Sequence, residues 1–349
     1  MNIQLNNLLR ANIQKLIPYS SARDDFKGLA HVWLDANENP YDTDFNRYPD
    51  PYQRKLKESI SVIKNISADN IFIGNGSDEV IDLLIRAFCE PGKDKIASIN
   101  PSYGMYEVSA NIHGVELIKV PLREDFSLDA QALLNKASSA KIIFLCSPNN
   151  PSGNNLVKKE ILQVISSFKG IVVVDEAYID FSQAESLSRL LPEHNNLVVM
   201  QTLSKAWGLA GLRLGLAFCS TELIGILNKI KPPYNINTVS QKMAIETLAD
   251  IDKFEQEVKE IIAEREALQE KLQSIKSVQH IFPSDANFLL VKFKSAKAVY
   301  EYLTKRGIVV RDRSKAQHCE ECLRISIGTP EENKALIAAL NAYEESIIY

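Results

Sequence analysis

From about residue 70 onward, short apolar runs alternate with segments whose apolar residues recur every three or four positions. Lys141-Ile142-Ile143-Phe144-Leu145 and Ile171-Val172-Val173-Val174 are continuous apolar runs, as expected of strands buried on both faces. Ile71-Phe72-Ile73 and residues 95–99, 115–120, 197–201 and 214–219 read as further strands. Helical periodicity runs through residues 77–88 and 103–113. Strands alternating with helices imply crossover units and a mostly parallel sheet covered on both faces. The expected fold class is α/β, with a large domain over residues 40–235. Beyond Pro232-Pro233 the character changes. Residues 251–275 form a long, highly charged helical pattern, expected to lie along the surface as a connector. Strand-like runs at 288–293 and 322–327, with helices near 297–305 and 331–345, predict a smaller α+β domain. That domain is expected to comprise residues 236–349 together with the N-terminal segment 1–39.

Composition narrows the function classes. The chain has 349 residues, 45% hydrophobic and 24% charged, which suits two ordinary globular domains. A formal net charge of -4 without a basic run argues against nucleic acid as the main partner. No apolar stretch approaches the roughly 18 residues of a membrane helix. Residues 1–18 are interrupted by Asn, Gln, Arg and Lys and lack the apolar region of a signal peptide, so a cytoplasmic location is expected. Five irregularly spaced cysteines fit reduced thiols, with Cys89, Cys146 and Cys219 as small core residues. His318-Cys319-Glu320-Glu321-Cys322 has metal-like spacing, but a structural zinc needs a second such cluster and none exists. A surface loop without metal is the expectation there.

The polar motifs fall at the C-terminal ends of the expected strands, where open α/β sheets bind ligands. Gly74-Asn75-Gly76-Ser77-Asp78-Glu79 opens a helix, so its amides could close on a phosphate. A plain capped turn explains it equally well, and it lacks the glycine spacing of a dinucleotide site. Asp175-Glu176-Ala177-Tyr178 puts a carboxylate at a buried strand end, where it needs a partner; a helix cap or ion pair would serve. Ser147-Pro148-Asn149-Asn150-Pro151-Ser152-Gly153 reads first as a turn. Lys205, after Thr202-Leu203-Ser204, could be a snorkelling surface lysine, yet it stands among small residues with Arg213 following. Together the four segments offer a phosphate cradle, a carboxylate, a phenol with an amide, and an amine. Pyridoxal phosphate requires such a set.

These segments resemble those of the fold-type-I, pyridoxal-phosphate-dependent class II aminotransferases, and most the branch acting on histidinol phosphate. The likeness runs from Leu16-Ile17-Pro18-Tyr19-Ser20-Ser21-Ala22-Arg23 to Leu323-Arg324-Ile325-Ser326-Ile327-Gly328-Thr329. Between lie Trp33-Leu34-Asp35-Ala36-Asn37-Glu38-Asn39-Pro40, Arg47-Tyr48-Pro49-Asp50-Pro51, Ala87-Phe88-Cys89-Glu90-Pro91-Gly92-Lys93-Asp94, Tyr103-Gly104-Met105-Tyr106 and Gly307-Ile308-Val309-Val310-Arg311-Asp312-Arg313. Trp207 stands where Phe is more usual, and Asn39 where some relatives carry Tyr.

The resemblance implies that Lys205 carries pyridoxal 5′-phosphate as a Schiff base and that Asp175 pairs with the ring nitrogen. Tyr178 and Asn150 would bond the ring's 3-oxygen, and Tyr103 would stack on its face. The phosphate would sit among Gly76, Ser77, Asp78, Ser204, Arg213 and Tyr48, the last reaching in from a second subunit of a homodimer. Arg324 matches the family's substrate-anion arginine. Arg311, with Tyr19 from the second subunit, resembles the added anion site, and Asn37 is expected at the substrate. The implied reaction exchanges L-histidinol phosphate and 2-oxoglutarate for 3-(imidazol-4-yl)-2-oxopropyl phosphate and L-glutamate, a step of histidine biosynthesis. Rival readings are an aminotransferase of broad or aromatic specificity and a phospho-amino-acid decarboxylase using the same lysine. A regulator that kept the fold without turnover is more distant, since a basic N-terminal extension is lacking.

Overall fold

The computed structural model describes residues 3–19, 26, 28 and 31–346. Seven strands form the larger sheet: β1 (Ile71–Asn75), β2 (Lys95–Asn100), β3 (Glu116–Pro121), β4 (Ala140–Cys146), β5 (Ile171–Asp175), β6 (Leu197–Thr202) and β7 (Leu214–Cys219). Their spatial order is β1-β7-β6-β5-β4-β2-β3. Only β7 runs against its neighbours; β6, β5, β4, β2 and β3 are parallel. Six strands, β1 among them, therefore present their C-terminal ends along one edge, where the polar motifs lie.

The apolar runs of β4 and β5 are buried on both faces because their side chains alternate. Val172 and Val174 enter one core with helix residues Leu56, Leu133, Ile161 and Val164. Ile171 and Val173 enter the opposite core, beneath the helices Ser77–Phe88 and Thr221–Ile230. Each apolar layer buries side chains worth roughly 1.5–3 kcal/mol apiece.

The smaller sheet is wholly antiparallel, in the order β10-β11-β9-β8. It comprises β8 (Val278–Ile281), β9 (Phe288–Phe293), β10 (Arg311–Asp312) and β11 (Cys322–Ser326), packed on helices Ala296–Lys305 and Pro330–Ser346. The sequence pattern showed β9 and β11 but not the short, half-exposed β8 or the exposed two-residue β10.

Leu5, Leu9 and Ile13 pack in one core with the helix Ser77–Phe88, and Arg10 pairs with Glu90 at 3.0 Å. Ile236, Ala244 and Leu248 share a core with Val172 and Val174 and with Cys319 and Cys322. The long helix Ile251–Gln273 is more than a surface connector. Its Phe254 stacks on Trp207 at 3.8 Å, while Leu268 and Leu272 fill the smaller core, so one element ties both units. Where the units meet, Gly153 has φ +86, and a Cβ there would lie 2.5 Å from Ser284 Oγ, so only glycine permits the approach.

Candidate active site

The ends of β1, β4, β5 and β6 converge on a cavity of about 100 Å³. Gly76, Ser77, Asp78, Tyr103, Asn150, Asp175, Tyr178, Ser204, Lys205 and Arg213 all line it, so ten of the expected residues come together. Cys146, Ala177 and Thr202 complete the wall.

Sheet register explains the grouping. Cys146 sits beside Asp175 on the parallel β4–β5 pair, and Thr202 faces Gly215 on the antiparallel β6–β7 pair. β7 returns the chain so that Arg213 O accepts from Gly76 N–H at 2.7 Å. A Cβ on Gly215 would come 2.1 Å from Ser77 N, and one on Gly76 2.7 Å from Arg213 Nη2. The helix Ser77–Phe88 thus begins pressed against β7, and its first-turn amides, which lack intrahelical acceptors, face the cavity. Arg213 stands at the same end, 4.0 Å from Asp78.

Asp175 is buried, and its Oδ2 accepts from Tyr106 O–H at 2.7 Å while Oδ1 accepts from Ala177 N–H at 3.1 Å. Burial pushes its pKa up to about 6, against the two hydrogen bonds and the Lys205 charge, which favour ionisation. A carboxylate so desolvated gains most from a cation placed against it. Tyr106, itself fully buried, stacks on Phe144 and abuts Tyr103 edge-on. It is the one orienting residue the sequence reading missed. No periodic signal marked it, since Tyr103 precedes the helix Met105–Ile112 on which Tyr106 sits. Tyr103 O–H donates to Asp78 at 3.1 Å.

Lys205 lines the cavity and is exposed to solvent, with its Nζ 5.7 Å from the Tyr178 ring centre. Surrounding protein lowers its pKa by burial, helped by the Arg324 and Arg213 charges and opposed by Asp175. The amine is therefore held toward its neutral, nucleophilic form. Asn150 Nδ2 donates to Tyr178 Oη at 3.4 Å, and Asn150 Oδ1 accepts from Arg324 Nη1 at 2.6 Å. Arg324 lies over the Phe288 ring at 5.2 Å. It pairs across strands with Arg311, and both line a recess of about 350 Å³ on the smaller unit. Arg311 makes no ion pair with any described residue, so neither Asp312 nor Glu320 neutralises it.

Three expected residues stand apart. Tyr48 and Asn37 line a separate cavity of about 610 Å³, where Tyr48 stacks on Tyr234 at 4.4 Å. Tyr19 is 72% exposed. Ser20 to Arg23, part of the matched N-terminal motif, lie outside the described residues. The expected surface loop at 318–322 also needs correction, because Cys319 and Cys322 are fully buried in the core. Among the described residues no group of His, Cys, Asp and Glu could hold a metal ion, and no helix is long and apolar enough to cross a membrane.

The donor set suits pyridoxal phosphate: a glycine-lined helix start with an arginine, a buried carboxylate, a phenol–amide pair, an aromatic wall and a less basic lysine in one cavity. Residues 21–340 match the family model for class I and II aminotransferases. The chain is 55% identical to the histidinol-phosphate aminotransferase of Parabacteroides distasonis, over 96% of this chain and 98% of that one. It is 50% identical to the enzyme of the same name from Cytophaga hutchinsonii, over 98% and 100%. The crystal structure of histidinol-phosphate aminotransferase from Sinorhizobium meliloti in complex with pyridoxal-5′-phosphate superposes with a TM-score of 0.80. That match has 26% identity and covers 87% of this chain and 84% of that one.

Proposed function

The chain belongs to the class I and II aminotransferase family, and from that premise we propose that it transfers the amino group of L-histidinol phosphate to 2-oxoglutarate. The products are 3-(imidazol-4-yl)-2-oxopropyl phosphate and L-glutamate, and the setting is histidine biosynthesis in the cytoplasm. The observation that carries this reading is the Asn150 amide, which joins the Lys205 cavity to the Arg311–Arg324 recess through Tyr178 and Arg324. A substrate amine held near Lys205 would thus have its far anion in reach of two guanidiniums.

Lys205 would hold the cofactor covalently, Asp175 its ring nitrogen, Tyr178 and Asn150 its ring oxygen, and Tyr103 its face. Ser77, Asp78, Ser204 and Arg213 would hold its phosphate. When bound, the cofactor supplies the electron sink that makes an amine-bearing carbon acidic. The Lys205 amine would be the base that takes the proton from the amine-bearing carbon of one substrate and, in the reverse half-reaction, gives a proton to the corresponding carbon of the other. Asp175, buried and oriented by Tyr106 and Ala177, would hold negative charge toward the ring nitrogen. Arg324 and Arg311 must accept phosphate from one substrate and carboxylate from the other, which guanidinium forks can do.

The active unit would be a homodimer, with the partner subunit's Tyr48 and the partner subunit's Tyr19 completing each site. Supporting this, nine of the sixteen exposed large hydrophobics among the described residues lie between positions 16 and 48, including Ile17 and Leu34 at 87% and 88% exposure. The decisive assay compares histidinol phosphate, histidinol and aromatic amino acids with 2-oxoglutarate as acceptor. Histidinol phosphate should lead by about tenfold to a few hundredfold in kcat/KM, the worth of charge-assisted hydrogen bonds to its phosphate. Equal rates for aromatic amino acids would establish broad specificity instead, and release of carbon dioxide from a phosphorylated amino acid would establish the decarboxylase.

A further inference from the structure

Beyond Arg311 the chain continues in ladder with its neighbour: Arg313 N–H donates to Cys322 O at 2.9 Å. Arg311 faces Arg324 and Asp312 faces Leu323 in the antiparallel β10–β11 pair. Side chains two apart on an extended strand share a face, and cross-strand partners share it too. Arg311, Arg313 and Arg324 are therefore on one face of the smaller sheet, and Asp312 also borders the recess that Arg311 and Arg324 line. The Asp312 carboxylate is in any case engaged, accepting from Ser314 N–H at 2.8 Å. The Arg313 side chain makes no hydrogen bond or ion pair with any described residue, and its Nε is buried without a partner. Burial lowers its pKa, followed by the charges of Arg324 and Arg311, and Tyr178 of the Lys205 cavity lies within its electrostatic reach.

Three guanidiniums on one face, none of them ion-paired with a described carboxylate, repel one another, and partial burial of an unpaired one adds a desolvation cost. A carboxylate, with one charge and two oxygens, is satisfied by two forks. A phosphate monoester carries close to two charges and three terminal oxygens, and can engage a third.

Resting on the reading of the reaction given above, we infer that Arg313 is a third guanidinium of the substrate-anion site and favours a phosphate monoester over a carboxylate. Arg311 and Arg324 serve both substrates; Arg313 separates them.

The test uses single-turnover half-reactions of cofactor-loaded wild type, Arg313→Gln and Arg313→Lys. In Arg313→Gln the ratio of kcat/KM for histidinol phosphate to that for glutamate should fall roughly ten- to a hundredfold, the worth of a charge-assisted contact. The ratio for unphosphorylated histidinol to glutamate should stay within about twofold, and Arg313→Lys should recover part of the phosphate preference. Competitive inhibition by inorganic phosphate should weaken by a similar factor in Arg313→Gln. An unchanged histidinol phosphate to glutamate ratio, or an equal fall for histidinol, would overturn the assignment. Failure of the wild-type enzyme to use histidinol phosphate would instead overturn the reaction itself, so the two failures are distinct.

Discussion

Replacing Asp175 by Asn alters charge with almost no change of shape, and the structure predicts that stability and activity will move in opposite directions. Asn Oδ1 can still accept from Ala177 N–H, and the Tyr106 hydroxyl can rotate to accept from the new amide. Burial raises the Asp175 pKa from 3.8 to about 6, so the folded chain holds that proton more tightly than the unfolded chain. Its contribution to stability therefore falls as pH rises from about 4 to about 6, and above that the charged form carries the whole penalty, of order 3 kcal/mol. At pH 8 the cofactor-free Asn variant should unfold at the same or a higher temperature than wild type. Turnover should behave oppositely. A carboxylate about 4 Å from a cation is worth roughly 4 kcal/mol at an effective dielectric near 20. Losing it should lower kcat on the order of 10²–10³-fold or more. Steady-state rates on loaded enzyme, with calorimetric scans of the cofactor-free and loaded forms, supply both readouts. Turnover within about tenfold of wild type, roughly 1.4 kcal/mol, would refute the reasoning. So would a cofactor-free variant markedly less stable than wild type, because Asp175 would then be a structural charge.

Borohydride reduction of loaded enzyme should fix the cofactor to the peptide carrying Lys205, read by mass spectrometry; label on another lysine would remove Lys205 from its role. Mixing inactive Lys205→Ala and Tyr48→Ala chains should restore activity, since one site of the mixed dimer joins an intact Lys205 to the partner subunit's Tyr48. Confirmed mixed dimers without activity would mean that each site is built within one chain. Glu176 is buried with its pKa raised by burial to about 7, and accepts from Ser186 O–H, Leu187 N–H and Gln201 Nε2. Between about 4.5 and 7 the folded state holds the extra proton, so stability falls as pH rises. Glu176→Gln, paired with the unpartnered Gln201 Oε1 after an amide flip, should gain in melting temperature relative to wild type from pH 5 to 8. A pH-independent difference would show that Glu176 is not the titrating group.

What the sequence determined by itself was set by local periodicity and local chemistry. Continuous apolar runs such as Ile171–Val174 are what strands buried on both faces require, and the helix Ser77–Phe88 was legible to the residue because Gly76 precedes its apolar period. The polar residues at strand ends were legible as a set, since a parallel sheet must bring those ends to one edge. The short edge strand β10 was not, because two exposed residues carry no periodic signal. Its pairing opposite β11 is nevertheless what sets Arg311 against Arg324 and aligns Arg313 with them. Nor could the pattern show that Tyr106, read as part of a helix and of the motif Tyr103-Gly104-Met105-Tyr106, supplies the hydroxyl that orients Asp175 across 69 positions of sequence. The same holds for Leu5, Leu9 and Ile13, whose apolar faces fit either unit until the fold presents one groove to receive them. Contacts of that kind depend on register and on which surfaces remain open after the sheet has formed, and no window of sequence contains that information.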